Sequence, residues 1–85
     1  MHRTFLVELY VPRRGERPAE VSAAARAGAE ELAREGRHVR YVRSIYVPED
    51  ETCFLVYDGA DVETVSRAAT RAGIAYERVL PSEER

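Results

Sequence analysis

The sequence predicts an α+β domain of order β-α-β-β-α-β. Its sheet has four antiparallel strands, spatial order 4-1-3-2, with two helices on one face. Three observations carry this reading. Four runs rich in β-branched and aromatic residues are interleaved with two alanine-rich helical repeats. Each repeat stops at a glycine, Gly36 or Gly73. The one short link between strand-like runs is "PEDE" (48–51), a hairpin signal.

The first strand is "TFLVELYV" (4–11), which ends at Pro12. "PRRGERP" is a loop by its Pro and Gly content. Pro18 suits the first turn of a helix, where its missing N–H costs nothing. Val21, Ala25, Ala29 and Leu32 then recur at helical spacing and form an inner stripe of small side chains. "HVRYVRSIYV" and "TCFLVYD" are the hairpin strands. Asp61 caps the second helix, whose inner stripe is Val62, Val65, Ala69 and Ala72. "AYERVL" before Pro81 is the last strand, and "SEER" is a tail.

The 85 residues suit a single domain, 1–85, with a small core. Hydrophobic residues make up 45% and charged residues 33%, a balance that folds rather than one that stays disordered. A net charge of −2, with no basic strip, argues against a nucleic-acid partner. All 13 basic residues are Arg; Lys, Asn, Gln and Trp are absent. One cysteine, Cys53, excludes an internal disulfide and paired-cysteine zinc spacing, and it fits a reducing cytoplasm. No apolar run approaches the roughly 18 residues of a membrane span. "MHRTFLVELYV" is too short in its apolar part for a signal peptide.

Strand parity assigns the faces. Phe5, Val7 and Leu9 should meet the helices. With Val47 opposite Thr52, the hairpin places Ile45 opposite Phe54 on the helix side. The helix-free face then carries Leu6, Glu8, Tyr10, Val42, Ser44, Tyr46, Cys53, Leu55 and Tyr57, with Val42 opposite Tyr57. Such an apolar and aromatic face calls for a cover. A second copy, face to face about a two-fold axis, is the simplest one, so a homodimer is the expected partner.

Glu8 is the polar exception among apolar neighbours and needs a partner or a raised pKa. Tyr10, Ser44, Tyr46 and Tyr57 could satisfy it or share a ligand with it. An interface hydrogen-bond network is the plainer reading; a ligand site is the sharper one. His2 and His38 open strands that run in the same direction on either side of the third. That places them at one end of the sheet, about 10 Å apart, with Tyr57 and Asp58 between them. Two imidazoles can bracket a transition metal at that span if more ligands join; the plainer reading is that neither binds one. Cys53 has no histidine near it and reads as a small buried hydrophobe. Arg13, Arg14 and Arg17 fall beside Glu49, Asp50 and Glu51 as solvated surface charges. Phosphate loops, dinucleotide fingerprints, zinc-protease motifs and Ser-His-Asp sets are all absent.

"RSIYVPEDETCFLVYD", the helix start "ADVETV", "RAG" before the last strand and, more loosely, "FLVELYVP" carry a resemblance. With them the chain resembles a family of small bacterial proteins of unknown function, one branch of which is associated with nickel binding. The resemblance implies a ferredoxin-like subunit related to dimeric α/β barrels, with nickel as a ligand. The matching blocks contain no histidine, so it carries over no ligand residue.

The expected function is a cytoplasmic, non-enzymatic homodimer that binds a small ligand or a metal ion between its sheets, nickel being the named metal. The alternative is a dimeric-barrel enzyme, monooxygenase- or isomerase-like, acting on a hydrophobic or aromatic molecule with Glu8, Tyr10 or Tyr46 as acid, base or orienter.

Overall fold

The computed structural model describes residues 3–15 and 17–83. Its elements are β1 (Arg3–Tyr10), α1 (Pro18–Arg34), β2 (Val39–Val47), a 3-10 turn (Pro48–Asp50), β3 (Thr52–Gly59), α2 (Val62–Arg71) and β4 (Arg78–Ser82). The sheet order is β2-β3-β1-β4, the predicted order read from the other edge, with every neighbouring pair antiparallel. This is the ferredoxin-like fold. Among the described residues no helix is long and apolar enough to cross a membrane.

Alternation along β1 buries Phe5, Val7 and Leu9 beneath the helices. Across that face α1 contributes Val21, Ala25, Ala29 and Leu32, and α2 contributes Val65, Ala68 and Ala69. Gly28 lets the two helices approach: a Cβ there would sit 2.9 Å from the Ala68 carbonyl oxygen. Both helices end in the same way. Arg37 N–H donates to Leu32 O and Gly36 N–H to Ala33 O, with Gly36 at φ +92°. Ile74 and Gly73 repeat the pattern on Ala69 and Thr70, with Gly73 at φ +76°. These are Schellman closures, which only glycine enters without strain. Asp61 caps α2 as expected, accepting from Thr64 N–H at 2.8 Å.

Three boundaries differ from the sequence reading. Val62 is exposed, and Thr64, Val65, Ala68 and Ala69 are the buried positions of α2. β4 starts at Arg78 rather than at residue 75, and it runs through Pro81. Proline is admitted there because β4 is an edge strand, where the missing N–H breaks no ladder bond on the outer side.

The third difference reverses a face. β1 and β3 pair Phe5 with Tyr57, Val7 with Leu55 and Leu9 with Cys53. Cys53, Leu55 and Tyr57 therefore lie under the helices, fully buried, and Phe54 and Val56 point to the helix-free side. The hairpin register is as expected from Val47–Thr52 to Ser44–Leu55. Beyond it a β-bulge between Tyr41 and Arg43 leaves Val42 without a partner and sets Tyr41, not Val42, opposite Tyr57.

Candidate functional site

The helix-free face is built of four rungs read across the strands. Arg40, Asp58, Thr4 and Ser82 form the first; Arg43, Val56, Leu6 and Leu80 the second. Ile45, Phe54, Glu8 and Arg78 form the third, and Val47, Thr52 and Tyr10 the fourth. Ile45 is 46% exposed and Tyr10 58%. The middle of the face is thus apolar, and charged pairs flank it. Arg78 Nε donates to Glu8 Oε1 at 2.7 Å, and Arg40 donates to Asp58 Oδ2 at 2.6 Å. The partner that Glu8 needed is Arg78.

Beside this face a hollow of about 380 Å³ is lined by Glu8, Tyr10, Thr52, Glu77 and Arg78. Tyr10 donates to Glu51 Oε1 at 3.4 Å, and the Glu51 carboxylate holds the phenol above its ordinary pKa. Glu51 also accepts from Arg13 N–H at 2.8 Å, while Arg13 Nε donates to Pro48 O at 2.9 Å. The acidic hairpin loop is therefore a latch on the chain leaving β1, made through backbone groups rather than through ion pairs.

The five residues expected to share a ligand are split by the sheet. Glu8 and Tyr10 lie on the open face; Ser44, Tyr46 and Tyr57 lie beneath the helices. Tyr46 donates to Val11 O at 2.8 Å. Ser44 joins a chain of hydroxyls with Tyr41, at 2.5 Å, and Ser22, at 2.6 Å. Ser22 donates to Pro18 O at 3.0 Å. A hydroxyl has one proton to give, so the chain runs one way: Tyr41 to Ser44, Ser44 to Ser22, Ser22 to Pro18 O. Tyr57 OH is buried with no partner, and burial raises its pKa. Cys53 is buried beneath α1 and α2, and burial likewise raises its thiol; it is the packed hydrophobe expected.

His38 stands at the entrance to β2 and lines a hollow of about 310 Å³ with Arg37, Arg40 and Asp58. His2 lies outside the described residues. Among the described residues no three His, Cys, Asp or Glu side chains converge as a metal ion requires. Two participants escaped the sequence reading. Arg78 had a signal, being the one cation in the last strand-like run. Ser22, in an alanine-rich helix, had only its polarity.

The fold and this face define a ferredoxin-like α+β subunit with one sheet surface left uncovered by its helices. Residues 5–81 match the family of nickel responsive proteins like SCO4226, and the chain belongs to it. Among solved structures it is similar to SCO4226 from Streptomyces coelicolor A3(2), at 17% identity and a TM-score of 0.72. That likeness covers 96% of this chain and 98% of the other, and at such identity it speaks for the fold alone. No curated protein matches the chain.

Proposed function

We propose that the protein acts as a homodimer closed sheet to sheet, holding a small ligand or a metal ion at the interface without catalysing a reaction. The observation that carries this reading is the open face itself. Two helices leave Leu6, Ile45, Phe54 and Leu80 together on one side of the sheet, around a buried Val56. Apolar surface of that kind marks a contact, and a two-fold axis supplies its own complementary partner. Glu8 supports binding over catalysis: its carboxylate is engaged by Arg78, which favours orienting a ligand over taking a proton.

Nickel is the first metal to test, because the family is described as nickel responsive. The described residues of one chain do not assemble a complete site. His38 supplies the imidazole that suits nickel, but its neighbour Asp58 is already held by Arg40. In this reading the remaining ligands come from the second copy or from His2.

Two measurements separate the parts. Sedimentation equilibrium of the metal-free chain should give twice the monomer mass at micromolar concentration; a monomer overturns the dimer. Calorimetric titration with nickel chloride, with zinc chloride as comparison, should give saturable heat that His38→Ala weakens by about tenfold. Heat no greater than buffer removes the metal and leaves the small-ligand reading.

A further inference from the structure

At the outer edge of the sheet, along the seam between α1 and β2, a hollow of about 400 Å³ is lined by Arg26, Ala29, Glu30, Ala33, Val39, Arg40 and Tyr41. It shares Ala33, Val39 and Arg40 with the hollow at His38. Together they form one trough along the seam between α1 and the edge strand. Its floor is apolar, from Ala29, Ala33 and Val39, and its rim carries Arg26, Arg37 and Arg40 together with the carboxylates of Glu30 and Asp58.

These cations differ in what they already hold. Arg40 is spent on Asp58. Arg37 donates to Thr64 Oγ1 at 3.2 Å. Arg26 donates to no acceptor and pairs with no carboxylate among the described residues, although Glu30 lies one turn along the same helix. Its guanidinium rests instead over the Tyr41 ring, 5.0 Å from the centroid. That ring is fixed in turn, by its bond to Ser44 and by edge-to-face contact with Tyr57 at 5.9 Å. A cation–π contact of this kind holds the guanidinium in place while leaving its N–H donors unused.

We propose that this trough is a binding site for a small organic anion with a flat apolar body, an aryl carboxylate being the simplest. The body lies on Ala29, Ala33 and Val39, and the carboxylate takes the paired donors of Arg26. Planar, two-point recognition of a carboxylate is what a fixed guanidinium offers and an ammonium does not. The site needs no second copy of the chain and no metal, so it stands or falls apart from the dimer reading.

The test is an amide chemical-shift titration of the full chain with 2-naphthoate and with its neutral isostere, 2-naphthamide. Naphthoate should perturb amides in residues 26–33 and 39–41, and naphthamide should bind about tenfold or more weakly. Arg26→Gln should bring naphthoate down to the level of the amide, and Arg26→Lys should recover only part of the loss. Arg26 is exposed and gives up only its contact with the Tyr41 ring, so both variants should stay folded at the titration temperature and melt within a few degrees of the parent protein. Three results overturn the proposal: perturbations centred on Leu6, Phe54 and Val56; equal affinity for acid and amide; or unchanged affinity in Arg26→Gln.

Discussion

At the scale of single residues, two side-chain positions invert the effect that composition alone would assign. Tyr57 OH is buried without an acceptor, so the hydroxyl costs desolvation and returns no bond. Tyr57→Phe should therefore stabilise the protein by about 1 kcal/mol in urea unfolding, where loss of a buried tyrosine ordinarily destabilises. The same residue sets a pH dependence. Its folded pKa is raised by burial above the ordinary value of 10.0, so the folded state keeps a proton that the unfolded chain releases. Its contribution is present below pH 10.0 and is lost as pH rises beyond it. Tyr57→Phe should flatten that alkaline fall. Gly28 is the opposite case. Alanine is the better helix former by roughly 1 kcal/mol, yet its Cβ would meet Ala68 O at 2.9 Å and Ala72 N at 3.0 Å. Backbone atoms cannot step aside as a flexible side chain can. Gly28→Ala should destabilise by about 1–3 kcal/mol, the cost of forcing the helices apart.

At the scale of elements, what was legible in the sequence depended on whether a residue type has one physical use or two. Pro18, Gly36, Asp61 and Gly73 each have a narrow backbone role, and each marks a helix end where it was expected. The inner face of β1 was legible because Glu8 interrupts one of its two apolar sets. The faces of β3 were not, because "CFLVY" is apolar on both sides and alternation cannot choose between them. Pairing with β1 makes that choice, and it moves Tyr57 and Cys53 inward. The bulge at Val42 carries no glycine and left no trace in the pattern. Its consequence is large, since Tyr41 and Ser44 are three residues apart and would lie on opposite faces of a regular strand. The bulge turns both toward α1 and so makes the hydroxyl chain to Ser22. Ser44→Ala would leave the Tyr41 proton with no acceptor and Ser22 with no donor. It should cost about 1–3 kcal/mol, and it should loosen the α1–β2 seam. Slower-exchanging amides of β2 becoming faster, with those of β4 unchanged, would locate the effect there. Equal loss of protection in both strands would instead mean a general loss of stability.

At the scale of the whole molecule, the helices and the sheet solve half of a burial problem. The helix side is closed by alanine, valine and the close approach that Gly28 permits, and no helix lies over the four rungs of the other side. Phe54 lies in the third rung between Ile45 and Glu8, one rung from Val56 and Leu6. In a face-to-face dimer it falls in the desolvated interior, and in a monomer part of the ring meets water. The two cases respond differently to charge. In a monomer Phe54→Arg gives up the packing of a half-buried ring, a cost to folding of about 1–2 kcal/mol, with the oligomeric state unaltered. Within a dimer it introduces two guanidinium groups related by the two-fold axis, each desolvated and unpaired. That costs several kcal/mol, enough to weaken association at least a thousandfold. The expected outcome is a shift from dimer to monomer in sedimentation velocity, with unchanged far-ultraviolet circular dichroism. Thr4→Arg, placed on the outer rung beside Asp58, is the matched control and should leave the mass unchanged. If Phe54→Arg sediments with the parent chain while keeping its fold, the covering surface is something other than a second copy meeting it at this rung.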